Sequence, residues 1–367
     1  MLLKDIVALL EEIAPPAAAE AWDNVGLLCG DPTQEIHRIL LTIDYTPVVA
    51  AEGRNQNCDL IIAYHPPIFS ALKRLTADGP SSLIHDAIRR GVAIYSPHTA
   101  WDAAPGGAND VLTDAVGLIH TAPLRVVTPE AKEFKLVSFI PESHLSVVSD
   151  ALFAAGAGHI GNYSSCSFRA AGKGTFLGGD GTHPTLGKAG QLQIADEIRL
   201  EIILPKNRVV DAVAALRKTH PYEEPAFDLT VLAAPPSGTG PGRVGNLPAP
   251  VAISELINSV KRELNLGALL AAGDLNRSVT RIAVCAGAGG EMVNDAIAAG
   301  AELYLTGELR HHDVLKANRA GMAAICTLHS NSERPSLKRL KTRLLQVAAN
   351  LPEVIVSQTD RDPFQIR

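Results

Sequence analysis

At 367 residues the chain is longer than one ordinary domain and points to two or three. Its 46% hydrophobic and 20% charged residues suit a globular protein with a real core. A net charge of -6 without a dense Lys/Arg run disfavours broad electrostatic binding to nucleic acid or to an anionic membrane, and aromatics at 4% are too few for a base-stacking surface.

The first segment, MLLKDIVALLEEIAPP, lacks the basic start, long apolar stretch and small-residue cleavage site of a signal peptide. It reads as an amphipathic helix with Leu3, Ile6, Leu9, Leu10 and Ile13 on one face. No apolar run reaches membrane-spanning length. Cys29, Cys58, Cys166, Cys285 and Cys326 are dispersed, odd in number and without a CxxC pair, as expected of free thiols in a reducing cytoplasm.

Further along, Arg38–Ile43 reads as a buried strand, Val48 to about Cys58 as a helix, and Asp59–Ala63 and Val92–Tyr95 as two more strands. Strand–helix–strand order implies parallel βαβ units. A different stretch follows. Lys135–Ile140 is an alternating strand, His144 to Ala155 a helix, and Gly156 to Gly190 a Gly- and Ser-rich region. A strand at Ile198–Leu204, a helix at Asn207–Thr219 and a strand at Ala226–Leu232 complete a small ferredoxin-like α+β module. The run APPSGTGPGRVGNLPAP, Ala234 to Pro250, reads as the return linker. Beyond it come a strand at Arg281–Cys285, a helix at Glu291–Ala299, and strands at Leu303–Leu305 and Met322–Cys326.

The last part repeats the order of the first. RILLTID pairs with RIAVCAG, CDLIIAYH with AELYLTGE, and GVAIYSPHTAWD with GMAAICTLHSNSE. The expected architecture is therefore α/β: two similar βαβ-containing halves, residues 1–128 and 236–367, with an inserted α+β domain at residues 129–235.

The strand ends carry the chemistry. SPHTAWD sets His98 and Asp102 four residues apart after one strand, and LHSNSE sets His329 and Glu333 four apart after its counterpart. His65 in AYHPPIF and Glu308 in LTGELRHHD occupy another matching pair of strand ends. Ligands of open α/β sheets bind outside these ends, and imidazoles with carboxylates suit zinc, iron or manganese. A carboxylate can bridge two ions, which makes Glu333 or Asp102 a candidate bridge. Taken singly, each residue reads equally as a turn or cap residue; the recurring His-x-x-x-carboxylate spacing favours the metal. His311 and His312 are further candidates for direct or supporting roles. CAGAGG reads as a weak phosphate-cradling loop or simply a tight strand-to-helix turn, HPYEEPAFDL as a rigid loop entering a strand in preference to a binding segment, and TDRDP as a polar turn.

WDNVGLLCGD, LIIAYHPPIF, YSPHTAWDAAPGGAND, LYLTGELRHHD, LHSNSERP and SQTDRDP, in this order and spanning both ends of the chain, resemble the NIF-three-like dinuclear metal-centre proteins, also called GTP cyclohydrolase I type 2 homologues. The insert with HPYEEPAFDL is similar to the PII- or CutA-like module of longer members. The resemblance implies two divalent ions per chain: His65 and Asp102 match ligands of one, His329 matches a ligand of the other, and Glu333 matches the bridge. Many members have two adjacent histidines where this chain has Tyr64-His65, so Tyr64 coordinates, His98 substitutes, or the second ion is weakly held. Toroidal homohexamers with sites facing an internal cavity are also implied. The expected activity is metal-dependent hydrolysis of a small molecule, with Glu308 or His98 as general acid or base and GTP ring opening as the reaction the family name denotes. The other reading is a metal-binding scaffold or regulator. A DNA-binding role conflicts with the acidic charge.

Overall fold

The computed structural model describes residues 1–127, 131–234, 238–348 and 350–365. It divides into two compact units, one of residues 1–127 with 236–367 and one of residues 128–235. The fold is mixed α/β with three sheets among the described residues.

Helix Leu3–Ile13 buries Leu3, Ile6, Leu10 and Ile13, the face that the apolar spacing predicts. Strands β1 (Gly26–Cys29), β2 (Arg38–Thr42), β3 (Leu60–Ala63), β4 (Ala93–Ser96) and β5 (Ile119–Pro123) follow. β2, β3 and β4 are parallel, with Leu40 opposite Ile61 and Ile61 opposite Ile94. Every residue of β3 and β4 is buried, so both read in the sequence as unbroken apolar runs. Between β2 and β3 the helix Pro47–Asn55 starts where Thr46 accepts the Val49 N–H and Pro47 takes the first helical position.

The second unit contains β6 (Glu133–Ile140), β7 (Phe168–Leu177), β8 (Leu192–Pro205) and β9 (Phe227–Leu232), in the antiparallel order β7-β8-β6-β9. Helices Leu145–Ala154 and Val209–Thr219 bury Val148, Leu152, Ala212 and Leu216 in one cluster with Leu136, Ile140, Leu200 and Ile202. Two differences from the sequence reading arise here. The Gly- and Ser-rich stretch holds β7, and β8 begins six residues before the expected Ile198. The two strands form one long hairpin whose ladder pairs Phe168 with Glu201 through to Leu177 with Leu192.

On its return the chain forms β10 (Arg243–Ala252), β11 (Leu270–Ala272), β12 (Ser278–Ala288), β13 (Leu303–Glu308), β14 (Ala323–Cys326) and β15 (Glu353–Val356). The second part of the expected linker Ala234–Pro250, from Arg243 on, is strand: β10 pairs with β12 on one side and β5 on the other. The CAGAGG segment is the end of β12 and a 3-10 turn, Gly289–Met292, that leads into the helix Val293–Ala298.

β12, β13 and β14 are parallel, like β2, β3 and β4. The two sheets of this unit run β1-β4-β3-β2-β15 and β11-β14-β13-β12-β10-β5. Each is completed by a strand from the other stretch of chain. β15 lies parallel to β2, and β5 lies antiparallel to β10. One apolar core, including Ile6, Leu41, Tyr95, Val284, Ile325 and Leu340, serves both. No helix among the described residues is long and apolar enough to cross a membrane.

Candidate metal centre

The strands β3, β4, β13 and β14 end at Ala63, Ser96, Glu308 and Cys326, and the expected site residues follow directly. His65, His329 and Glu333 come together with one ligand atom of each within 4.8 Å of the others, the only such cluster among the described residues. Glu333 Oε2 stands 3.3 Å from His65 Nε2, and Oε1 stands 3.2 Å from His329 Nε2. Glu333 is 2% exposed, and its Oε2 has no hydrogen bond of good geometry.

A buried carboxylate oxygen whose near neighbour is a poorly aligned imidazole nitrogen at 3.3 Å is natural beside a cation. The imidazoles are prepared in the same sense. His65 Nδ1 meets Asp44 Oδ1 at 2.9 Å, and His329 Nδ1 meets Glu308 Oε1 at 3.0 Å. His98 Nδ1 meets Asp23 Oδ1 at 2.8 Å. A carboxylate on Nδ1 fixes the ring and leaves Nε2 as the ligating atom. The residues therefore fit a divalent cation.

Burial alone would raise the Glu333 carboxyl, but the facing His329 and His65 hold it below its usual range. His65 is desolvated, yet Asp44 and Glu333 raise it to about 10, and Glu333 with Glu308 raises His329 to about 9. In the metal-free chain both rings thus keep a proton at neutral pH, and a metal must displace both. The logarithm of the zinc association constant is expected to rise with a slope of about two per pH unit from pH 6.5 to 8.5. Competition with a chromophoric chelator measures that slope; a flat profile would show the rings already neutral.

Tyr64 is fully buried and donates its hydroxyl to Asp102 Oδ1. Burial raises the Asp102 carboxyl to about 6, against the pull of His98 and Tyr64. Asp102 lies on the short helix His98–Ala103, and Asn109 ties its backbone to the other half. The Asn109 amide donates to the Asp102 carbonyl at 2.9 Å and accepts the Ala286 N–H at 2.8 Å. Asp102, His98 and Glu308 line the same cavity as the cluster, with a volume of about 900 Å³. His98 and His65 rings are 5.3 Å apart, and the half-exposed Trp22 and Phe69 stand at the rim. Glu308, expected as an acid or base, is engaged on His329. His311 and His312 are exposed and packed on each other, outside the cluster.

Backbone detail supports the arrangement. Leu328, just before His329, has φ 72° and ψ 152°, and His98 has φ 24°. Non-glycine residues at positive φ are uncommon and concentrate at functional sites. Gly287, at φ +66°, has no room for a side chain, since a Cβ there would lie 2.6 Å from Glu333 Oε1 and 3.3 Å from His329 Nε2. Gly287→Ala is expected to weaken metal binding about 10- to 100-fold, with about 1 kcal/mol lost in stability. Calorimetric metal titration beside thermal melts would separate the two effects.

Sequence reasoning passed over Asp23 and Asp44 as partners of histidine. The Asp23 side chain is fully buried, and its carboxyl lies below the usual range: burial opposes this, but His98 and Thr99 prevail. TDRDP also has a place. Asp360 accepts the Ile43 N–H at 2.8 Å and pairs with Arg334, while Ser330 donates to Asp362 Oδ2 at 2.8 Å. The segment thereby holds the neighbours of Asp44 and of Glu333 in one place.

Two sheets ending in a cradle of carboxylate-locked imidazoles around a buried glutamate define a mixed α/β protein with a residue cluster suited to a metal ion. Residues 1–363 match the Duf34/NIF3 (NGG1p interacting factor 3) family, and the chain belongs to it. It is 38% identical over 337 residues to the GTP cyclohydrolase 1 type 2 homolog of Mycobacterium tuberculosis, covering 91% of this chain and 88% of that one. It is 35% identical to the protein of the same name in Bacillus subtilis, over 98% and 97% of the two chains. Among solved structures it is similar to a Bacillus cereus protein related to NIF3, with TM-score 0.67, 31% identity and coverage of 100% and 99%. The Staphylococcus aureus protein SA1388 gives TM-score 0.77 at 26% identity, with the same coverage.

Proposed function

We propose that the cavity is the active site of a metal-dependent hydrolase with two divalent ions per chain. The observation that carries this reading is two histidines, His65 and His329, each fixed through Nδ1 by a carboxylate and facing the buried Glu333 beside an open cavity that His98 and Asp102 also line. His329 would hold one ion and His65 with Asp102 the other, and Glu333, with Oε1 toward His329 and Oε2 toward His65, would serve both.

Divalent ions in this place would supply Lewis-acid activation of water at neutral pH. The chain's own part is positional. Asp44, Glu308 and Asp23 aim the rings, and Tyr64 aims Asp102 through its hydroxyl. On this reading Tyr64 is a support for Asp102 rather than a ligand. Tyr64→Phe should weaken the second equivalent of zinc roughly tenfold and leave the first intact. An open cavity of about 900 Å³ favours catalysis over a closed structural site. The relatives' name, GTP cyclohydrolase 1 type 2 homolog, makes purine-ring hydrolysis the first reaction to try.

The finer architecture belongs to the same proposal. The two parallel strand trios, with His65 and Glu308 at matching ends, support an origin as related halves. The order β7-β8-β6-β9 with two helices on one face supports a ferredoxin-like insert. Exposed Leu177, Leu192 and Ile194 at the tip of its hairpin support self-association, which sedimentation would measure against the expected hexamer.

The test is a turnover screen of nucleotides and phosphoesters with zinc, manganese or ferrous iron, against a Glu333→Ala control. Turnover lost in the control supports the hydrolase. Full metal loading without turnover on any substrate supports the scaffold.

A further inference from the structure

The inserted unit has a cavity of its own, about 600 Å³, that the metal chemistry does not use. It lies on the sheet face turned away from the helices. Phe139, Ala170 and Arg199 are neighbours across the ladder there, while the adjacent Ile140 and Leu200 point into the helical core. The floor is low, because Gly172 follows Ala170 on this face and a Cβ on Gly172 would meet nothing within 4 Å. Phe139, Phe176 and Tyr222 form aromatic walls, the last two with ring centres 6.3 Å apart.

The HPYEEPAFDL segment supplies one side. Buried His220 binds the Phe139 carbonyl at 3.1 Å and accepts the Tyr222 N–H at 3.1 Å. A second loop is tied to it by the His183 N–H on Glu223 at 3.1 Å and by Thr185 Oγ1 on the Pro221 carbonyl at 2.7 Å. The segment is therefore a fixed wall of a concave site as well as the entry to β9.

The lining has a sign. Its cations have counterions of their own: Arg199, which also stands 5.8 Å over the Phe139 ring, meets Glu201 at 2.9 Å, and Lys173 meets Asp196 at 2.7 Å. Glu197, Glu223 and Glu224 also line the cavity. The Tyr222 hydroxyl is shut off from solvent without a hydrogen bond of good geometry. Aromatic walls, a side-chain-free floor and surplus carboxylate make up a concave, mostly apolar site with a few polar groups that set orientation.

We propose that this cavity binds a flat aromatic molecule carrying a positive charge or amine donors, its ring on the Gly172 floor and its donors on Glu197. This site is independent of the hydrolase reading. The probe is 4-aminoquinoline, a flat bicyclic cation, with quinoline-4-carboxylate as the anionic counterpart, each titrated calorimetrically into the full-length, metal-loaded protein.

The cation should bind once per chain and at least tenfold more tightly than the anion. Glu197→Gln should weaken it roughly tenfold through loss of a charge-assisted bond. Gly172→Leu, whose side chain enters open space, should abolish binding without unfolding the sheet, as circular dichroism would show. Glu333→Gln should bind the cation as the natural chain does. Equal affinity for the two probes would overturn the proposal, as would unchanged binding in Gly172→Leu. So would no binding up to millimolar probe, the result expected if a second copy of the chain covers the face.

Discussion

Glu333→Gln is expected to lose divalent-metal binding by more than a hundredfold while the chain remains folded. Glutamine keeps the volume and one carbonyl oxygen but removes the charge that faces His65 and His329 at 3.3 and 3.2 Å. Outer partners of metal ligands are worth 10- to 100-fold in affinity, and a ligand contributes more. Without metal, the same change removes the anion that holds both imidazoles protonated, so their affinities for protons fall. Zinc or manganese titration followed by calorimetry, with metal analysis of the purified protein, checks the first effect; histidine NMR titration checks the second. A variant that still carried stoichiometric metal would move the centre away from this cluster.

Asp110→Ala is expected to destabilise the larger unit by about 3–5 kcal/mol, the usual result of removing one partner of a buried ion pair. Arg243 is 4% exposed within β10 and binds Asp110 through two bonds of 2.8 and 2.9 Å. Its other donors meet the carbonyls of Gly240, Gly242 and Ala104 at 2.7, 2.8 and 2.9 Å. Alanine would leave the guanidinium charged and without its counterion. The melting temperature should fall on the order of 10 °C for a unit of this size. Arg243→Met with Asp110→Leu should lose less than Asp110→Ala alone, because it removes both charges together. Equal losses would mean that the cost lies in packing.

What could be read in advance followed from burial and period. β2, β3 and β4 are apolar on both faces, and their apolar runs stand out without structural help. The ligand candidates were legible because His and carboxylate recur at matching strand ends. Asp23 and Asp44 were not, since a single aspartate near a turn is ordinary and only the fold brings each to a histidine ring. β10 was hidden by its composition. Pro248 and Pro250 fall where its register with β12 breaks, between Asn246 and Val251, so the strand tolerates residues that lack an N–H. β7 was hidden by Gly172 and Gly174, which interrupt one face of the strand between Ala170 and Phe176. The crossing of β5 and β15 between sheets had no local signal, because their partners lie more than a hundred residues away.

That crossing bears on how the protein is made. The sheet holding His65 cannot gain its last strand until the ribosome has released residue 356, and the other sheet waits with β5 unpaired until β10 is translated. Pairing across such separations is slow, and nascent strands with open edges are prone to stick to one another. The metal centre would then be the last part to form, and nascent chains are expected to depend on chaperones until release.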